Sequence, residues 1–167
     1  MGSYLNPGSK GFQESLNSEI YVDKTGLIEK TNAVLDTRQK FLCVSRPRRF
    51  GKSMAADMLA AYYERGEDAD LLFRSLKISK AESYRAHLNQ YDVIKVNIQE
   101  FLSMTGSMDE MLSMLKKYLV FDLMEHFDDV RFRDESNLIQ VMKDVFSYTR
   151  CPFVILIDEW DCLVRGY

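Results

Sequence analysis

Two spacings of apolar residues, one of period two and one of helical period, divide this chain into elements. Ile94, Val96 and Ile98 alternate with Lys95 and Asn97, which predicts a half-buried strand over 92–98. Two continuous apolar runs, KFLCVS at 40–45 and FVILI at 153–157, read as strands buried on both faces, the second bounded by Pro152 and closed by carboxylates. Helical spacing appears elsewhere. Thr25 as an N-cap precedes Leu27, Ile28 and Val34 in a short helix, and from Lys52 the stripe Ala55, Met58, Leu59 and Tyr62 predicts a helix ending near Gly66. Leu112, Leu115, Leu119 and Leu123 form the expected core stripe of a helix from about Met108 to His126. Leu138, Met142 and Val145 do the same from about Ser136 to Tyr148. Residues 1–20, with Gly2, Pro7, Gly8 and Gly11, read as an irregular lead-in with one helical turn around Phe12 to Leu16. Strands alternating with helices predict an α/β fold with a parallel sheet covered by helices.

Composition narrows the class. The chain has 167 residues, 46% hydrophobic and 28% charged, the profile of a globular domain with a substantial core. Its formal net charge of −3 supplies no global pull toward nucleic acid or anionic membrane, and no run is apolar for long enough to span a bilayer. Cys43, Cys151 and Cys162 are odd in number and widely spaced, so neither a disulfide framework nor a zinc site is expected and a reducing cytoplasm fits. His87 and His126 have no partner at metal-ligand spacing. The frequent methionines read as core gap-fillers.

The chemistry concentrates in RPRRFGKS, residues 46–53, between a predicted strand and a predicted helix. Phosphate binding needs converging backbone N–H groups, a helix N-terminus, a lysine for the terminal phosphates and a hydroxyl for Mg²⁺. Gly51, Lys52 and Ser53 meet that need, but the strict pattern G-x-x-x-x-G-K-[ST] puts a glycine where Arg46 stands. Gly-Lys-Ser/Thr alone recurs by chance in roughly one chain in ten of this length. The second half of the signal is VILIDE at 154–159. There an apolar strand ends in Asp158, suited to Mg²⁺, and Glu159, suited to polarise an attacking water. Read alone, that carboxylate pair is equally a solvated turn. No N-K-x-D guanine signature occurs, which favours adenine.

With YVDKTGLI (21–28), SRPRRFGKS (45–53), LFRSLKI (72–78) and LIDEWD (156–161) in view, the chain resembles the bacterial and archaeal AAA-ATPase-like family, whose members commonly carry a following PD-(D/E)XK nuclease-like domain. In that family the loop reads R-P-R-R-F-G-K-S, so the resemblance makes Arg46 a family feature. It implies a P-loop ATPase domain over 21–167, with nucleotide contacts from Pro47, Arg48, Arg49, Phe50, Gly51, Lys52 and Ser53. It further implies Mg²⁺ ligation by Ser53 and Asp158, and catalysis by Lys52 and Glu159. The cofactors would be ATP and Mg²⁺. Arg46, Arg48 and Arg49 either stabilise phosphate charge, reach a neighbouring subunit or form a solvated surface cluster; Tyr21 either contacts the base or packs in the core.

Such ATPases continue past the acidic strand, so the chain is expected to be the N-terminal part of a P-loop fold, lacking a sensor strand, an arginine finger and the nuclease-like domain. The nuclease signature, an acid two positions before a lysine, occurs nowhere in the sequence. Two functions remain: a Mg²⁺-dependent ATPase module coupled to a partner or C-terminal domain, or a nucleotide-dependent switch with little hydrolysis. The chain by itself is expected to bind nucleotide weakly and to hydrolyse negligibly, unless Arg48 or Arg49 acts across a self-associated interface.

Overall fold

The computed structural model describes residues 4–35, 37 and 52–163, with 52, 53, 162 and 163 described by their backbone alone. The strand expected at 40–45, with Cys43, and the loop residues 46–51 lie outside the described residues. In chain order the elements are helices α1 (Lys10–Leu16), α2 (Gly26–Leu35), α3 (Lys52–Tyr63), α4 (Asp70–Phe73) and α5 (Tyr84–His87), strand β1 (Asp92–Asn97), helices α6 (Ile98–Ser103), α7 (Met108–His126) and α8 (Leu138–Thr149), and strand β2 (Phe153–Asp158). Short 3-10 turns occupy Lys77–Lys80 and Trp160–Leu163. By internal contacts the chain forms two units, Gly8–Tyr91 and a second one joining Met1–Pro7 to Asp92–Tyr167. No helix among the described residues is long and apolar enough to cross a membrane.

The second unit holds the sheet. β1 and β2 pair in parallel, in register from Asp92 opposite Phe153 to Asn97 opposite Asp158, and the crossover between them runs through α6, α7 and α8. This is the expected α/β arrangement of a parallel sheet flanked by helices. The other edge of β1 is met by residues 4–6 of the lead-in through one isolated antiparallel bridge, Leu5 opposite Ile94. The Asn6 N–H donates to the Val93 carbonyl at 2.7 Å and the Lys95 N–H donates to the Tyr4 carbonyl at 3.0 Å. Asn6 turns the chain away at φ 45°, a conformation asparagine tolerates, and its side-chain oxygen accepts the Val93 N–H at 2.8 Å. One carboxylate oxygen of Asp122 on α7 accepts the Tyr4 and Leu5 N–H groups at 2.7 and 3.2 Å.

Side-chain caps start all three helices of this unit: Asn97, Ser107 and Asn137 accept the N–H groups of Glu100, Glu110 and Gln140. The cap at Asn97 ends β1 one residue early, so Ile98 opens a helix and does not extend the strand. α7 has the predicted bounds, but its core face is Met111, Leu119, Val120 and Leu123; Leu112 is 40% exposed and Leu115 only partly buried. α8 starts at Leu138 and buries Val141 and Val145, with Leu138 and Met142 at the margin of the core.

In the unit Gly8–Tyr91, α3 is the central element. Met58, Leu59 and Tyr62 are buried as the stripe predicts, and the helix ends at Tyr63, short of Gly66. Around it, Phe12 stacks on Phe73 (4.8 Å, 13°) and Tyr62 meets Phe73 edge-on (5.5 Å, 82°). α1 packs against α3 at Gly11, where an added Cβ would sit 2.7 Å from an Asp57 side-chain oxygen.

Candidate functional site

Two groups of expected site residues fall in different units, and each is built by local physics. The first is the head of α3. Lys52 and Ser53 occupy its first turn, where backbone N–H groups have no partner within the helix and the dipole favours an anion. Of these two residues the backbone alone is described, and Pro47, Arg48, Arg49, Phe50 and Gly51 lie outside the described residues.

The rest of α3 is fixed by a buried polar network at its C-terminal end. The Tyr63 hydroxyl donates to the Asn32 side-chain oxygen at 2.6 Å, Asn32 donates to the Tyr62 hydroxyl at 3.1 Å, and the Tyr62 hydroxyl donates to the Tyr84 carbonyl at 2.6 Å. Burial pushes the Tyr62 phenol up to about 12 against the opposing effect of Asn32, so it stays a neutral donor. The next residue, Glu64, is buried and accepts the Gly8 N–H at 2.9 Å. A helix locked at this end holds its first turn at a defined place.

The YVDKT and LFRSLKI stretches form a clasp. One Asp23 carboxylate oxygen accepts the Thr25 N–H (2.9 Å) and hydroxyl (2.6 Å), and the other accepts the Lys77 N–H (2.8 Å). The Thr25 oxygen in turn accepts the Ile78 N–H at 3.1 Å, so this hydroxyl serves the clasp and not the expected N-cap of α2. Burial raises the Asp23 pKa, but its hydrogen bonds and the Lys77 charge outweigh that and hold it below the usual carboxylate range. Most of the motif is therefore scaffold.

Tyr21 and Val22 do something different. With Phe12 and Ser15 of α1, Lys24, Leu27 of α2, and Met54, Ala55 and Met58 of α3, they line a small, partly open cleft. Tyr21 is half-buried there, edge-on to Phe12 at 6.4 Å and 73°. Sequence reasoning did not assemble this cleft, because its walls come from positions as far apart along the chain as Phe12 and Met58; the one available signal was Tyr21 upstream of the loop.

The second group closes β2. Asp158 is the last strand residue, 9% exposed, with one carboxylate oxygen accepting the Glu159 N–H at 2.9 Å. Its register partner Asn97 ends β1, so both strands finish side by side at their carboxyl ends, the place where ligands bind in parallel α/β sheets. Glu159 leaves the strand at φ 57°, a left-handed conformation that costs a non-glycine residue about 1–2 kcal/mol. The chain then enters the 3-10 turn Trp160–Leu163, which packs against α6. Asp158 is thus turned inward and Glu159 left half-exposed beside it. Among the described residues no three His, Cys, Asp or Glu side chains gather as a metal-holding group. Nucleotide-bound Mg²⁺ asks for less, since it keeps several waters and takes only one or two carboxylates, and the hard oxygen donor at Asp158 fits it.

A family model described as predicted AAA-ATPase matches residues 8–165. No curated protein and no solved structure matches the chain. The match runs from the residues before α1 through the Lys52 and Ser53 that open α3 to the turn beyond the acidic end of β2. On that span, nearly the whole chain, the protein belongs to the AAA-ATPase-like family of predicted AAA-ATPases.

Proposed function

We propose that this chain is an ATP-binding module that uses Mg²⁺ and hydrolyses ATP to ADP and phosphate, passing the change of nucleotide state to a partner or an attached domain. The observation that carries the reading is the acidic end of β2, Asp158 and Glu159 at the carboxyl end of a parallel strand, in a chain matching predicted AAA-ATPases. In this reading the N–H groups at the head of α3, with Gly51, receive the phosphates, and Pro47 to Phe50 complete the loop. The Lys52 ammonium bridges the terminal phosphates, and the Ser53 hydroxyl and the Asp158 carboxylate hold the cation and its waters. Mg²⁺, when bound, supplies charge neutralisation between the phosphates. The Glu159 carboxylate takes a proton from a water whose oxygen forms a bond to the terminal phosphorus, while the bond from that phosphorus to the bridging oxygen breaks.

The two carboxylates therefore separate in a mutant pair. In a homologue that continues past the acidic strand, Glu159→Gln should keep ATP bound and abolish phosphate release, whereas Asp158→Asn should also lose the Mg²⁺-dependence of binding. Phosphate release from Glu159→Gln at the wild-type rate would remove Glu159 from the catalytic set.

A further inference from the structure

We propose that the cleft between residues 65–68, just past α3, and residues 85–90 binds a small zwitterion of the amino-acid class, a molecule with an ammonium and a carboxylate on one short frame. The inference is independent of the nucleotide-binding reading, since the cleft lies at the far end of α3 from Lys52. Its volume of about 380 Å³ falls within the usual range of small-molecule sites and has room for a free amino acid or a dipeptide.

The walls carry both signs of charge in equal number. Arg65 and Arg85 line the cleft together with Glu67 and Asp68, and Leu88 adds an apolar wall. A ligand of one sign meets repulsion from half of these groups, whereas a zwitterion has an end for each. Arg85 is held in place and still open to a ligand. Its guanidinium lies 3.3 Å from an Asp70 carboxylate oxygen and 5.5 Å from the centre of the Tyr84 ring, yet its side chain is 73% exposed. That fork suits a carboxylate. The N–H groups of Gly66, Glu67 and Asp68 donate no hydrogen bond among the described residues, so the facing turn adds main-chain donors. For the ammonium there are acceptors. One Glu67 oxygen accepts the Ser9 hydroxyl at 2.8 Å and one Asp68 oxygen accepts the Asp70 N–H at 3.0 Å, which leaves the second oxygen of each carboxylate without a donor among the described residues.

The two walls are braced against each other. Asn89, at φ 56°, donates its N–H to the Tyr62 carbonyl at 2.8 Å and its side-chain N–H to the Glu64 carbonyl at 2.6 Å, and its side-chain oxygen accepts the Ala69 N–H at 3.0 Å. The Arg65 N–H donates to the Tyr91 carbonyl at 2.9 Å, and the Tyr91 N–H donates to the Tyr63 carbonyl at 3.0 Å. A ligand entering a cleft formed in this way has little backbone to order, which favours binding.

The test is a titration of the isotope-labelled 167-residue chain at constant ionic strength with leucine, glycylleucine, leucinamide and N-acetylleucine, read by NMR at the Gly66, Glu67 and Asp68 amides. Leucine or the dipeptide should shift these amides saturably, and the tighter of the two assigns the source as a free amino acid or a peptide. Leucinamide, which lacks the carboxylate, and N-acetylleucine, which lacks the ammonium, should each bind at least about fivefold more weakly than the tighter zwitterion. Arg85→Ala should weaken the zwitterion by at least about fivefold, with Arg85→Lys between it and wild type. Asp68→Asn, which keeps an oxygen for the Asp70 N–H, should remove the advantage over N-acetylleucine, and it carries the test if Arg85→Ala fails to fold by circular dichroism. Absence of saturable shifts with both zwitterions overturns the site. Leucinamide or N-acetylleucine binding as tightly as the zwitterion overturns it equally, as does an unchanged affinity in a folded Arg85→Ala or an unchanged advantage over N-acetylleucine in Asp68→Asn.

Discussion

Asp23 shows how a single carboxylate in this chain joins two distant stretches of sequence. Its hydrogen bonds to Thr25 and Lys77 favour the charged form, so its folded pKa lies below the unfolded one. The unfolded chain therefore binds more protons in the acid range, and the stability Asp23 contributes is present above the ordinary carboxylate pKa and lost as pH falls through the folded value. Asp23→Asn should melt below wild type at pH 6, and the gap should close as the pH is lowered past 4 toward the depressed folded pKa. A gap in melting temperature that stays constant with pH would show that the charge is irrelevant to the clasp. The sequence offered Asp23 and Thr25 only as members of a motif near a helix start. Nothing local to residues 21–28 reveals that their partners are backbone groups of Lys77 and Ile78, more than fifty positions away.

At the scale of elements, burial across the parallel pair is unequal. Ile94 of β1 is 1% exposed and lies in the core with Val96, whereas its register partner Ile155 of β2 is 51% exposed. Ile94→Ala should cost about 2–5 kcal/mol of unfolding free energy, and Ile155→Ala well under half of that. Equal losses in urea denaturation would contradict the burial. α3, α7 and α8 were legible because each repeats a helical apolar spacing, β1 because its apolar residues alternate, and β2 because its apolar run is continuous. The faces were less legible. α7 carries Met111 beside Leu112 and Met114 beside Leu115, so periodicity alone allows more than one core stripe, and packing against α6 and α8 selects Met111. α4 and α5, four residues each, are too short to show a helical period. The β-pairing of residues 4–6 hid because Asn6 and Pro7 read as loop residues.

For the whole molecule, the functional account joins a family assignment over residues 8–165 to two local structures, the head of α3 and the acidic end of β2. The residue types of both were readable in sequence, since Gly-Lys-Ser and Asp-Glu are contiguous. The cleft beside α3 was not, since Phe12, Tyr21 and Met58 meet only after α1 and α3 pack together. The central claim is that phosphates bind at the N-terminus of α3 through Lys52, whose ammonium supplies much of the site's positive charge. Calorimetric titration of wild type and Lys52→Ala with MgATP tests it most directly. The account predicts binding by wild type and at least about tenfold weaker binding by the variant, more than 1.4 kcal/mol. Equal affinities in the two proteins would contradict it.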